Sequence, residues 1–168
     1  MNSSRHRRTS VIGLPALVLL VAAAGCSSAD GSASAAVPSP GAKAAKLCRN
    51  LDKVLPARVD GVGRQDPSPA SALTAGWGDP AIILRCGVVR PPKMIDPKVA
   101  SGQDPEAVAG GVDGVDWLME KRDGASRFTT ANRLAYVEVS VAGGRDSSAV
   151  LVDLAPAVKK AIPVGIAD

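Results

Sequence analysis

The chain has 168 residues and a formal net charge of +4, from 20 lysines and arginines against 16 aspartates and glutamates. Three arginines and no acidic residue lie within residues 1–25, so the net charge of the rest is only +1. The rest also lacks a dense stripe of lysine and arginine, and this composition argues against nucleic acid as a partner.

The N-terminus has the pattern of an export signal. Basic residues at 5–8 precede an almost wholly apolar run of 14 residues, Val11 to Ala24, which ends in small residues before Cys26. A run of this length suits the core of a signal peptide, whereas a membrane-spanning helix needs about 20 residues. We therefore predict a signal peptide over 1–25 and a diacylglyceryl group on Cys26. This group would anchor the protein to membrane lipid at the extracytoplasmic face of the cell membrane.

Two alternatives stay open for this region. Ala23 lies three residues before the cysteine, where leucine is usual, so ordinary secretory cleavage that leaves Cys26 as a free thiol is the other interpretation. Arg7-Arg8 leaves the twin-arginine export route open beside the general secretory route. Residues 26–43 are rich in Ser, Ala, Gly and Pro and predict a flexible tether, followed by a single globular domain over 44–168.

The first part of this domain predicts a helix followed by strands. Ala44 to Leu55 is apolar on one face and is followed by Pro56, which predicts a helix that ends there. Residues 57–72 are rich in Pro, Gly and Ser and predict mainly loop. Thr74–Trp77 predicts a short strand, and the alternation of apolar residues over Ala81–Val89 predicts a longer one.

Two cysteines remain in the domain besides Cys26. Cys48 lies on the apolar face of the predicted helix and Cys86 on the apolar face of the longer strand, so both point towards a shared core. In an oxidising compartment such a pair predicts a disulfide bond, with two buried free thiols as the alternative.

The second part of the domain predicts more strands and a final helix. Residues 90–111 predict a long irregular segment. Three strands follow, with an Asp-Gly turn signal between the first two: Val115–Lys121, Arg127–Thr130 and Leu134–Val141. Ser147–Ile162 predicts a mainly helical segment in which Asp153 caps a helix that carries Pro156 in its first turn. The predicted fold class is α+β, a small antiparallel sheet with two helices packed on one face.

The residue types that carry most catalytic and metal chemistry are missing. The only histidine is His6, inside the predicted signal peptide. Without histidine the exported chain cannot form a Ser-His-Asp or Cys-His pair and has no imidazole metal ligand. No glycine-rich phosphate loop or alternating-acid calcium loop occurs either, so we expect no catalytic residues, no metal site and no cofactor.

A group of carboxylates around a tryptophan is the exception to consider. Asp113, Asp116 and Glu120 near Trp117 have the residue types for acid–base chemistry on a glycan. The competing interpretation is that Asp113-Gly114 forms a turn and Trp117 fills the core, and strand alternation favours it.

A second aromatic cluster is the candidate partner contact. Trp77, between two glycines, is either presented to a partner or is a core residue that the glycines let approach, and Asp79 follows in the same turn. Arg85 is predicted to point outward from its strand, where it pairs with Asp79 or Glu138 or meets an anionic ligand. An ion pair is the commoner outcome.

Three segments of the chain resemble a known family. Thr74 to Gly87, followed by Arg90-Pro91, is similar to the first signature of the actinobacterial "domain of unknown function 3515" family. Val112 to Trp117 resembles its second signature, and Phe128-Thr129-Thr130 with Arg133 and Tyr136 to Val139 resembles its third. The resemblance covers about residues 47–163. It implies a small exported, usually lipid-anchored protein and supplies no activity.

These observations favour a non-enzymatic envelope module that binds either a cell-wall polymer or an envelope protein beside the membrane. The alternatives are a carboxylate-dependent enzyme that acts on envelope glycans and a purely structural lipoprotein. Exposure of Trp77 or of Trp117 is the observation that best separates them.

Overall fold

The computed structural model describes residues 33–167. Within them the helices are α1 (Ala42–Asp52), α2 (Pro97–Ala100) and α3 (Ser147–Ala161), and Pro92–Ile95 forms one turn of 3-10 helix. The strands are β1 (Arg58–Val59), β2 (Val62–Gly63), β3 (Thr74–Trp77), β4 (Ile82–Val88), β5 (Ala107–Val112), β6 (Val115–Arg122), β7 (Ala125–Thr130) and β8 (Tyr136–Ala142). Strands β3 to β8 form one antiparallel sheet in the order β3-β4-β8-β7-β6-β5, and β1 pairs with β2 as a separate hairpin.

One face of the sheet, which we call the helix face, packs against α1 and α3 and holds the main core. Because side chains alternate along a strand, β8 turns Val137, Val139 and Val141 to this face, and all three are buried. The core side of α3 comprises Val150, Leu151, Leu154, Ala155, Ala157, Val158 and Ala161. The predicted α+β class, with two helices on one face of an antiparallel sheet, is confirmed.

The predicted disulfide bond between Cys48 and Cys86 is present. It joins α1 to β4, with the two Cα atoms 5.4 Å apart, and both cysteines are buried in the main core. Each cysteine lies on the apolar side of its element, and this shared orientation brings the two thiols together.

The opposite face of the sheet is covered by two segments. The 3-10 turn and α2 bring Met94 and Val99 against Ala107 and Leu118, which form a small second cluster. Residues 33–41, which we call the N-terminal segment, cover another part of this face. We call the whole surface the outer face.

The N-terminal segment is not a free tether. The backbone N–H of Ala35 donates to Ser68 O at 3.0 Å, Ser68 N–H donates to Ala33 O, and Arg85 Nε donates to Ala36 O at 2.9 Å. The prediction of a flexible tether up to Lys43 is therefore wrong for its described part, since residues 33–41 are docked on the domain and α1 begins at Ala42. Main-chain groups make most of these bonds, so a composition of small residues does not prevent docking.

The remaining N-terminal predictions lie outside the described residues. These are the signal peptide over 1–25, the lipidation of Cys26 and the tether over 26–32. Within residues 33–167, no helix has the length and hydropathy that crossing a membrane requires.

Two element predictions are corrected, those for residues 90–111 and for the last helix. Residues 90–111 are not wholly irregular, because β5 forms their C-terminal end by pairing with β6 along its whole length. The sequence of β5, AVAGGV, has little intrinsic strand preference, and the neighbouring strand supplies the order. Residues 57–72 are mainly loop, as predicted, and contain the short β1–β2 hairpin, whose turn at Asp60-Gly61 is itself an Asp-Gly signal.

The last helix does not begin at Asp153. It is capped by Asp146, whose carboxylate accepts from Ser148 N–H and Ala149 N–H, and it continues through Pro156. Asp153 instead accepts from Asp60 N–H at 2.8 Å. Burial of one side of α3 against the sheet offsets the hydrogen bond that proline removes.

We predict that the Cys48→Ala/Cys86→Ala double variant is less stable by up to about 4 kcal/mol, because the bond closes a loop of 38 residues. Urea unfolding followed by circular dichroism measures the difference, and the wild type with added reductant is the matched control. An unchanged unfolding midpoint in both samples would show that the bond does not hold α1 to the sheet.

Candidate functional site

A groove lies where β4 leaves the sheet, between the N-terminal segment and the chain at Pro91-Pro92. It consists of two adjoining clefts of 430 and 450 Å³ that share Ser39, Gly87, Val88, Val89 and Arg90. The second cleft also contains three charged side chains on the outer face of the sheet, which are Arg85, Arg127 and Glu138. We call the two clefts together the arginine groove.

A glycine allows the N-terminal segment to form one wall of this groove. Gly87 has a φ of +87°, and the pairing register of β4 with β8 shifts between Cys86 and Val88. A Cβ atom on Gly87 would lie 2.5 Å from Pro40 Cγ, which is far inside van der Waals contact. The position therefore requires glycine both for its backbone conformation and for the close approach of Pro40.

The floor of the groove is a ladder of alternating charges across the sheet. Arg85 Nη1 donates to Glu138 Oε1 at 3.0 Å, and Arg127 Nη1 lies 3.8 Å from Glu138 Oε2. Arg127 also donates through Nε and Nη2 to Glu120 Oε2, at 3.1 and 2.8 Å, and Arg122 Nη2 donates to Glu120 Oε1 at 2.7 Å. The five side chains, which we call the charge ladder, come from four neighbouring strands, β4, β8, β7 and β6.

The two glutamates of the charge ladder are largely shielded from solvent. Glu120 and Glu138 are only 4% and 8% exposed, whereas the side chains of Arg85 and Arg127 are 30% and 28% exposed. A buried carboxylate is stable as an anion only when cations and hydrogen bonds compensate its lost hydration, and the arginines do so here.

Positive charge is in excess at the groove. Its lining contains three arginines and one glutamate, and if the remaining ladder residues Glu120 and Arg122 are included, four arginines face two glutamates. Both counts leave two positive charges uncompensated within this set. The third lining arginine, Arg90, is exposed at the rim.

The predicted partner contact of Trp77, Asp79 and Arg85 does not exist as one site. Trp77 is fully buried on the helix face and its Nε1 donates to Pro56 O at 3.0 Å, so its exposure to a partner is a wrong prediction and the core interpretation is correct. Asp79 lies in the turn and accepts from Gln65 Nε2 at 3.3 Å. Arg85 lies on the outer face and pairs with Glu138 instead of Asp79. The register of β3 on β4 pairs Trp77 with Ile82, whose side chain lies on the helix face, while alternation along β4 turns Arg85 to the outer face.

The carboxylates considered for glycan chemistry each have a different partner. Glu120 is held in the charge ladder, Asp113 pairs with Lys159 Nζ at 3.0 Å, and Asp116 accepts from Asn132 Nδ2 at 3.1 Å. Trp117 is only 2% exposed and belongs to the main core, as strand alternation predicts.

One further cleft reaches this region. It has a volume of 390 Å³ and includes Asp116 and Trp117 among otherwise mostly small or apolar residues, without Asp113 or Glu120. The turn at Asp113-Gly114 is confirmed, with positive φ at both residues.

Sequence reasoning found Arg85 but missed Arg90 and Arg127. Arg127 is in a predicted strand, and its importance arises because β7 lies between β6 and β8, which carry the two glutamates. Strand order is not readable from a single sequence, so the ladder has no sequence signal. Arg90 lies two residues after the end of β4, and its position next to Pro91 does not mark it as a groove residue in the sequence.

We predict that Arg127→Ala lowers the free energy of unfolding by about 3 kcal/mol, because it leaves two buried carboxylates without their shared cation. Arg122→Ala is the matched control, since its side chain is 49% exposed and pairs with Glu120 at the end of the ladder, and it should cost less than about 1 kcal/mol. Urea unfolding of both variants tests this. Equal losses would mean that Arg127 is no more than a surface partner.

Comparison with known proteins gives one match. The model of the family described as "Protein of unknown function (DUF3515)" matches residues 10–166. No curated protein and no solved structure matches the chain. Because the family model covers nearly the whole chain, the chain belongs to this DUF3515 family.

Proposed function

We propose that this protein is a lipid-anchored extracytoplasmic binding module whose arginine groove takes an anionic group of a cell-envelope polymer. The observation that carries the proposal is the excess of two positive charges in an open groove of the domain. Guanidinium groups suit this task because their planar N–H donors match the oxygens of phosphate or carboxylate.

The two arginines of the floor are held in place before any ligand arrives. Arg85 is fixed by Glu138 on one side and by Ala36 O on the other, and Arg127 is fixed by Glu120 through two donors. Side chains that are already ordered lose little conformational freedom on binding, and this raises affinity. The groove is thus pre-formed on the sheet, with only Arg90 free of strand geometry.

The first turn of α1 adds to the positive potential. Gly41 occupies the N-cap position, no side chain caps the helix, and the first turn contains no acidic residue. Gly41 and Ala44 line the first cleft, so the positive end of the helix dipole faces the same space as Arg90. This contribution supplements the arginines and would act on the same anion.

Docking of the N-terminal segment limits the distance between the groove and a lipidated Cys26. If Cys26 is lipidated, only the six residues 27–32 lie between it and Ala33, so Cys26 and Ala33 are at most about 25 Å apart. A linker of this length keeps the domain close to the lipid headgroups, where envelope polymers and their anchors occur. The lipid anchor and the extracytoplasmic location belong to the proposal.

A binding role agrees better with the carboxylates than an enzymatic one. Acid–base cleavage of a glycan needs two carboxyl groups facing one substrate, roughly 5 to 9.5 Å apart. Here Asp113, Asp116 and Glu120 have separate partners, and Trp117 is buried beneath them. We therefore propose a non-enzymatic module, and we retain neither the glycan-hydrolase alternative nor an exposed Trp77 contact.

We predict that Arg90→Glu weakens binding of a poly(glycerol phosphate) chain at least about tenfold, because it reverses an exposed charge at the rim without touching the ladder. Isothermal titration calorimetry measures the dissociation constant, and affinity of the wild type should fall as salt is raised.

Lys160→Glu is the matched control, because it makes the same charge change on the exposed side of α3 and should leave affinity within about twofold of wild type. A neutral glycan of equal length should not bind. Absence of binding by the wild type, or equal weakening by both variants, would refute the groove as the anion site.

We predict that Cys26→Ala moves the protein from the membrane fraction to the soluble fraction while its unfolding midpoint stays unchanged, since Cys26 precedes the predicted domain and takes no part in the Cys48–Cys86 disulfide bond. Cell fractionation with immunoblotting tests the anchor, and Ser27→Ala is the control that should remain with membranes. Retention of Cys26→Ala in the membrane fraction would contradict lipid anchoring.

A further inference from the structure

In the described part of the chain, one edge strand of the main sheet, β3, has a neighbouring segment bonded to it and the other, β5, does not. The β3 edge is covered, because Gln65 N–H donates to Gly76 O at 2.8 Å and Gly78 N–H donates to Gly63 O at 3.1 Å. The β5 edge is the other end of the sheet, and within residues 33–167 no strand pairs with its outer side. Edge strands with this freedom add strands from other chains unless something prevents it.

None of the usual protections is present within β5. Its sequence is AVAGGV, with no charged residue and no proline, and Val108 to Gly111 are exposed. No register shift interrupts its pairing with β6. A regular, uncharged edge strand with four consecutive exposed residues favours pairing with another strand.

The hydrogen-bond pattern identifies the backbone groups that are available. Lys121 N–H donates to Glu106 O, so Glu106 and Lys121 form a hydrogen-bonded pair. In an antiparallel pair of strands, hydrogen-bonded residues alternate with non-hydrogen-bonded ones, so Val108, Gly110 and Val112 form backbone hydrogen bonds to β6. The backbone N–H and C=O groups of Ala109 and Gly111 then point to the opposite side, outward from the edge of the sheet. These outward groups set the register of any added strand.

We propose that the occupant of this edge is β5 of a second copy of the chain, paired antiparallel about a two-fold axis at Ala109. In that register Ala109 faces Ala109 of the second copy, and Val108 faces Gly110 of the second copy. The two six-stranded sheets then continue as one. The contact is isologous, so the same few residues complete it on both sides.

Shape complementarity distinguishes this register from its neighbours. Val108 is 45% exposed, and a Cβ on Gly110 would meet nothing within 4 Å. Each valine thus enters the open space over the glycine of the other copy, at a non-hydrogen-bonded pair where side chains approach most closely. A shift by two residues would place valine against valine and leave the glycines uncovered. The proposal rests on β5 alone and is independent of the arginine groove.

Sedimentation equilibrium of the full chain with Cys26→Ala tests the proposal without lipid or a free thiol at that position. We expect a reversible monomer–dimer equilibrium, and Val108→Lys should raise its dissociation constant at least about tenfold because two cations would approach each other at the edge. Val152→Lys is the matched control, since Val152 is 49% exposed on α3 and should leave the equilibrium unchanged.

Cross-linking gives an independent measurement of the register. Ala109→Cys should form an intermolecular disulfide on mild oxidation, because a hydrogen-bonded antiparallel pair holds its Cα atoms about 5.5 Å apart. Val152→Cys should not form one at the same concentration. A purely monomeric chain at about 1 mM overturns the proposal. Equal weakening by both lysine variants, or equal cross-linking of both cysteine variants, also overturns it.

Discussion

The pairing of β4 with β8 is the constraint on which both layers of the molecule depend. Its register sets Cys86 against Val137 and Leu84 against Val139 on the helix face, and Arg85 against Glu138 on the outer face. The same two strands therefore hold the disulfide-linked core and one end of the charge ladder. Because a strand turns alternate side chains to opposite faces, a shift of one residue would bury the charges and expose the core.

The two faces meet different physical requirements. The helix face is apolar and is stabilised by burial of α1 and α3, with the disulfide bond fixing the shorter helix to the sheet. The outer face carries buried carboxylates that need cations, and the cations that compensate them also form the floor of the groove. Arg85 and Arg127 therefore contribute both to the stability of the sheet and to the proposed affinity for anions. Arg90 is outside the charge ladder, so its substitution tests anion binding without changing the stability of the sheet.

The docked N-terminal segment and the β5 edge are the two features of the fold on which the proposed binding surfaces depend. Docking of residues 33–41 is possible because Gly87 admits Pro40, and this contact builds a wall of the groove from a segment with the composition of a linker. Within residues 33–167 no strand pairs with the outer side of β5, whereas the β1–β2 region covers the edge at β3. One surface thus suits an anion and the other suits an extended backbone: the floor of the groove lies on β4, β8 and β7, whereas the uncovered edge is β5.

The sequence by itself determined the local structure: α1, α3, most strands, the Cys48–Cys86 pair, the core position of Trp117 and the membership of the DUF3515 family. These follow from periodicity, turn residues and motifs, which act over a few neighbouring residues. Tertiary structure alone decided the strand order, and with it the charge ladder, the burial of Trp77, the docking of residues 33–41 and the existence of β5. Those features depend on partners distant in the chain, whose pairing a local pattern does not encode.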